Sequence, residues 1–198
     1  MTFDIAVIGA GSGGCGAALA AARQGLSVCL IDKYAALGGT AVRCGVNTWE
    51  MGAGGTGIPF DVYRRLRNEF PRDVGIYSIG RHMLWDSFPG GENLLDAGRR
   101  YADTLRRHGT RGLNADRDLC REIWHGVTFE PDPMHRVLSL MLAETGGCDL
   151  RLGAGFAGVD VEGEHIAAVK LENGERVAAR FYVDATGDGL VCAAAGCD

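Results

Sequence analysis

Gly9, Gly11 and Gly14 stand at GxGxxG spacing, and Asp32 follows about 20 residues further on. Glycine brings no reactive side chain, so what this pattern offers is bare backbone. The first glycine makes a tight turn, the second lets the main chain approach a pyrophosphate, and the third lets a helix lie close to a strand. Free N–H groups and the positive dipole end of the helix then face the phosphates. An aspartate at the end of the next strand accepts hydrogen bonds from a ribose diol. Glycine-rich turns of this kind also occur without a ligand, but the acid at the right distance favours a dinucleotide site.

Elements able to position these residues surround them. Ile5 to Ile8 reads as a strand buried on both faces, and Ala17 to Ala22 as part of a helix that starts near Gly11. Gly25 suits the helix C-cap, and Leu26 to Ile31 reads as a second buried strand with Asp32 at its end. The order strand, glycine turn, helix, strand, acid is the context that raises the motif above chance.

Residues 33–57 read as a long glycine-rich loop, with Val46, Trp49 and Met51 arguing against disorder. Ile58 to Phe70 has apolar residues near helical spacing and stops before Pro71; Glu92 to His108 also reads as a helix. Their arginines suit a solvated face. Residues 75–91 and 114–129 show no clear period. Pro133 to Thr145 is amphipathic and closed by Gly146–Gly147. Asp149 to Leu152 is a short strand. Gly155 to Val161, Ile166 to Leu171 and Arg176 to Ala178 then form a three-stranded antiparallel meander, the last turn marked by Asn173–Gly174. Phe181 to Ala185 reads as a separate buried strand that delivers Thr186–Gly187–Asp188–Gly189 at its carboxyl end, where ligands of open α/β sheets bind. A helix near Leu190 follows.

The 198-residue chain is 46% hydrophobic with net charge −5, so charge gives no reason to expect nucleic acid or an anionic membrane as partner. Its seven cysteines (15, 29, 44, 120, 148, 192 and 197) are an odd set without CxxC, which suits reduced thiols in the cytoplasm. No basic leader and no run of 18 apolar residues occurs, so a soluble protein without a membrane span is expected. The five histidines show no zinc spacing, and neither a GxSxG elbow nor a GxxxxGK[ST] loop is present.

DIAVIGAGSGGCGAALAAARQGLSVCLID from residue 4, LGGT at 37–40 and YVDATGDGLVCAAAG at 182–196 together resemble the FAD-dependent oxidoreductases of the glutathione-reductase-like fold that carry a VDATGD motif. The resemblance covers about 1–57 and 132–196. It implies an α/β fold: a Rossmann-like FAD-binding domain with a parallel sheet and a β-meander (1–57 and 132–198), a mostly helical insert (58–131), and a C-terminal substrate domain that is absent. It implies FAD as cofactor. Gly9, Gly11 and Gly14, with Ser12 and Gly13, would hold the pyrophosphate; Asp32 would bind the adenosine ribose, flanked by Lys33. Gly39 and Thr40 would run beside the pyrophosphate and ribityl chain. Phe156 matches the position whose backbone recognises adenine, and Ala185, Thr186 and Gly187 would close over the adenosine side.

Disulfide reductases of this fold carry cysteines directly after GGT and five residues on; Ala41 and Val46 stand there, which argues against dithiol chemistry in this loop. Arg43, Cys44, Asn47 and Trp49 are candidates for residues near the flavin ring, and none is assigned a catalytic role. The expected activity is transfer of a hydride or electron pair to or from a small-molecule substrate, with a separate chain or a missing C-terminal half completing the flavin site. Two other readings stay open: an NAD(P)-binding dehydrogenase domain, against which LGGT and ATGD speak, and a truncated non-catalytic nucleotide-binding module.

Overall fold

A computed structural model describes residues 2–49, 57–79, 92–97 and 126–197. In chain order the elements are β1 (Thr2–Ile8), α1 (Ser12–Arg23), β2 (Val28–Asp32), α2 (Thr40–Arg43), β3 (Thr48–Trp49), α3 (Gly57–Glu69), β4 (Val74–Ile79), β5 (Glu92–Ala97), β6 (Gly126–Phe129), α4 (Pro131–Thr145), β7 (Cys148–Leu152), β8 (Phe156–Glu162), β9 (His165–Leu171), β10 (Arg176–Asp184) and α5 (Leu190–Ala194). The chain divides into two compact units, residues 1–44 with 138–198, and residues 45–137.

The first unit is built on a six-stranded sheet in the order β7-β2-β1-β10-β9-β8. The first four strands run parallel, Ile5 to Ile8 pairing with Val28 to Ile31 and with Phe181 to Asp184. Ala6, Val7, Ile8 and Val28 to Ile31 are all but inaccessible to solvent, as runs of this composition require in a parallel sheet covered on both faces. Each fully buried Val, Leu or Ile contributes about 1.5–3 kcal/mol. The chain is thus a mixed α/β protein with a mainly parallel, Rossmann-like sheet.

α1 lies against this sheet through Gly14, Cys15, Ala18, Leu19, Ala21 and Ala22. Its C-terminus closes in a Schellman motif: Leu26 N–H bonds to Ala21 C=O (3.3 Å) and Gly25 N–H to Ala22 C=O (3.0 Å), with Gly25 at φ +83°.

The meander differs from the sequence expectation in one respect. Arg176 to Ala178 and Phe181 to Ala185 are not two strands but one, β10, whose first residues pair antiparallel with β9 and whose remainder pairs parallel with β1. The apolar signal weakens at Ala179–Arg180, yet the extended backbone continues because β1 supplies partners on one side. Phe181, expected to be buried, is 64% exposed. An apolar run identifies a strand but carries no information on what covers each face.

In the second unit β3, β6, β4 and β5 form an antiparallel sheet in that order. α3 forms over the expected span and buries Val62 and Leu66. The expected helix from Glu92 is corrected: Glu92–Ala97 is a strand paired with β4, and residues 98–108 lie outside the described residues. The described part of residues 58–131 is therefore one helix with three strands, not a mostly helical segment. Pairing with a distant strand overrode a locally helical pattern. Likewise the loop expected over 33–57 contains the short α2 and β3.

Candidate functional site

The carboxyl ends of β1, β2 and β10 bring the sequence-predicted residues together. β1 runs into Gly9, whose N–H bonds to Ile31 C=O (2.8 Å), while Ala185 N–H bonds to Ile8 C=O (2.8 Å). Gly9 adopts φ +104°, and a β-carbon there would meet the Ala185 carbonyl group and lie 3.0 Å from the Thr186 nitrogen. A β-carbon on Gly14 would run into the Gly9 carbonyl group, 2.9 Å from its carbon and 3.2 Å from Ala185 Cβ. Gly39, at φ +56°, stands so close to Gly11 that a β-carbon would lie 2.8 Å from its Cα. Three segments far apart in sequence thus meet backbone to backbone, where only glycine fits.

Gly11 and Gly13 are different. A β-carbon on either would meet nothing within 4 Å. Gly11 is the N-cap of α1 and has no side-chain cap, and the helix ladder starts with Cys15 N–H to Gly11 C=O (2.9 Å). The amides of Ser12, Gly13 and Gly14 therefore precede the ladder and point from a helix N-terminus, the geometry that suits a phosphate group. Ser12, Gly13 and Thr40 are exposed. The open backbone fits the pyrophosphate of a dinucleotide.

Asp32 ends β2, half-buried. Its Oδ2 accepts from Ala10 N–H at 2.6 Å and its Oδ1 from Tyr34 N–H at 2.8 Å. A carboxylate offers about four lone-pair sites, so two backbone bonds leave capacity for a diol. Ala10 is a node: its carbonyl also accepts from Gly38 N–H (2.8 Å) and from the Cys15 thiol (3.2 Å). Burial pushes the Cys15 thiol up to about 12, so it stays protonated and holds this contact. Beside Asp32, the Arg43 guanidinium lies 3.3 Å and the Lys33 ammonium 5.2 Å from the Tyr34 ring centroid. Phe156 opens β8, half-buried against the core of the sheet.

The residue that sequence reasoning missed is Asp184. Its Oδ1 accepts from the Thr186 N–H (3.0 Å) and hydroxyl (2.6 Å), and its Oδ2 from Val191 N–H (2.8 Å) and Cys192 N–H (3.0 Å). One carboxylate thus shapes the Ala185–Gly187 turn and caps α5. Partial burial pushes this carboxyl up, but the bonds from Thr186, Cys192 and Val191 together outweigh it and hold its pKa below the ordinary value. An acid closing an apolar strand just before Ala-Thr-Gly was the available signal.

Cys44 is exposed at the end of α2. In the other unit Asn47 Nδ2 donates to Phe129 C=O (2.8 Å), Phe129 N–H donates to Asn47 C=O (3.1 Å), and Trp49 meets the Phe129 ring edge-on at 5.5 Å. Asn47 and Trp49 are engaged in joining β3 to β6. Among the described residues no three metal-ligating side chains converge, and no helix is long and apolar enough to cross a membrane.

A family model described as FAD dependent oxidoreductase matches residues 4–198. Dihydrolipoyl dehydrogenase of Chlorobaculum parvum is 60% identical over 43 residues, 22% of this chain and 9% of its own length. Among solved structures, a geranylgeranyl bacteriochlorophyll reductase-like protein from Thermoplasma acidophilum superposes with a TM-score of 0.58 at 23% identity, covering 98% of this chain and 42% of the other. L-proline dehydrogenase from P. horikoshii gives 0.57 at 17% identity, covering 98% and 56%. At these identities the superpositions show a shared fold. The chain spans about half the length of these structures.

Proposed function

The chain belongs to the FAD dependent oxidoreductase family, and from that premise we propose that its glycine turn, Asp32 and the Ala185–Gly187 segment hold the adenosine and pyrophosphate half of FAD. The protein is the FAD-binding part of a flavin oxidoreductase, and FAD is its cofactor. When bound, FAD supplies the redox chemistry, moving a hydride or electron pair through its isoalloxazine ring. The chain's own residues bind and orient.

In this reading the amides of Ser12, Gly13 and Gly14 bind the pyrophosphate, with Gly9 and Gly11 clearing its approach. Asp32 accepts the ribose hydroxyls, Lys33 flanks them, and the backbone at Phe156 meets the adenine. Gly39 and Thr40 run beside the pyrophosphate and ribityl chain, and Ala185, Thr186 and Gly187 close over the adenosine side. What most supports this assignment is that Gly11 and Gly13 are open at the start of α1 while Gly9, Gly14 and Gly39 beside them leave no room for a β-carbon.

The substrate is a small molecule, and a further segment or a separate chain completes the ring side of the site. The protein works in the cytoplasm, a reading supported by the free thiols of Cys15 and Cys29 in its core. Denaturing extraction of the purified protein tests the assignment: chromatography should find FAD in the extract. Recovery of NAD(H) without flavin would contradict it.

A further inference from the structure

α5 ends as α1 does. Gly196 stands at φ +82°, Cys197 N–H bonds to Cys192 C=O (3.0 Å) and Gly196 N–H to Ala193 C=O (3.1 Å). This pair of bonds is the Schellman motif, in which the side chains three residues inside the helix end and two beyond it frequently touch. In α1 those positions hold Ala21 and Leu26. In α5 they hold two cysteines, Cys192 and Cys197, both free and exposed.

We propose that Cys192 and Cys197 form an oxidation site, a thiol pair that closes into an intramolecular disulfide across the C-terminal cap of α5 when a low-molecular-weight disulfide is supplied. The backbone bond from Cys197 N–H to Cys192 C=O brings the two main chains close together, which favours disulfide closure. Desolvation, the Asp184 carboxylate and the Cys197 thiol together push the Cys192 thiol above its ordinary range, which makes Cys192 the weaker attacking group of the two.

The exchange runs in two steps. One protein thiolate attacks a sulfur of the external disulfide, forming a mixed disulfide and releasing one small thiolate. The second protein thiol gives its proton to solvent and attacks the protein-side sulfur, releasing the other small thiolate. The protein pair loses two electrons and two protons, and the external disulfide is reduced to two thiols. The closed form ties down the last turn of a helix whose first amides are held by Asp184, so the oxidised clasp stiffens the segment that follows Thr186–Gly187. An exposed bond of this kind is readily reduced again, as a reversible modification needs.

Mass spectrometry of the native protein equilibrated with glutathione disulfide tests this. Both cysteines lie in the tryptic peptide that begins at Phe181, since no Lys or Arg stands between Phe181 and Cys197. After alkylation that peptide should appear unalkylated and lighter by about 2 Da, without a glutathione adduct. The effective concentration of the pair should be at least tenfold higher in the native protein than in urea. Cys197→Ser should leave Cys192 holding a stable glutathione adduct. Separate adducts on both cysteines of the wild type, or equal effective concentrations in native and unfolded protein, would overturn the proposal.

Discussion

The backbone of Gly9 packs directly against the Ala185 peptide, so that a β-carbon at position 9 would lie 2.7 Å from the Ala185 carbonyl carbon and 3.0 Å from the Thr186 nitrogen. Two segments at opposite ends of the chain are joined there without side chains. Gly9→Ala should therefore damage the fold. Its φ of +104° alone costs an alanine about 1–3 kcal/mol, and the parallel pairing of β1 with β10 must shift as well. Chemical denaturation should show the loss.

Gly11→Ala should do the opposite. Position 11 is extended (φ −74°) and open, so stability should stay within about 0.5 kcal/mol of the wild type. FAD affinity should fall at least tenfold, because the methyl group occupies the space assigned to the pyrophosphate. Loss of stability at 11, or tolerance at 9, would show that the turn is misassigned.

Asp32 does two jobs, so Asp32→Asn should be felt twice. An amide has one acceptor oxygen, and its NH₂ would face either Ala10 N–H or Tyr34 N–H where a carboxylate oxygen now accepts. We expect about 1–3 kcal/mol lost from stability, together with weaker FAD binding, measured by denaturation and by titration on the same preparation. Weaker FAD binding with unchanged stability would mean that the two backbone bonds contribute nothing.

Asp184 sets a pH dependence. Its pKa is lowered in the folded chain, so the unfolded chain takes up the proton first as pH falls. The stability it contributes is present above its unfolded value near 3.9 and is lost as pH falls through the lower folded value. The stability difference between wild type and Asp184→Asn should therefore be full at pH 6 and shrink below about pH 4. A difference independent of pH would remove Asp184 as the anchor of the Thr186 turn.

How legible all this was depended on distance along the chain. The glycine turn, α1 and Asp32 could be read because each demand is local: Gly9 needs a positive φ, Gly14 must clear a carbonyl one turn away, and strand, helix and strand are contiguous. Glu92–Ala97 was misread because its strand exists only through pairing with Val74–Ile79. The Asn47–Phe129 contact joins residues 82 apart, a distance at which no spacing rule applies. Asp184 was passed over because its four donors arrive from a turn and a helix start that follow it. The Cys192–Cys197 relation falls outside the CxxC pattern for a related reason: a Schellman cap brings together residues five apart.

The cysteines give a direct check on the packing of the parallel sheet. Burial pushes the thiols of Cys15 and Cys29 to about 12, and both are closed to solvent. At pH 8 a colorimetric thiol reagent should leave these two unmodified in the native protein and label Cys44, with all three reacting in denaturant. Fast native labelling of Cys29 would contradict a β2 strand covered on both faces.

Competitive calorimetry shows whether the glycine turn and Asp32 receive the adenosine and pyrophosphate half of FAD. Purified, flavin-free protein is titrated with FAD, with ADP and with NAD⁺, and the FAD titration is repeated with ADP present. FAD and ADP should bind with affinities within about tenfold, 1.4 kcal/mol, each should exclude the other, and NAD⁺ should bind no more tightly than FAD. Simultaneous binding of ADP and FAD, or NAD⁺ bound more tightly than FAD, would contradict that assignment.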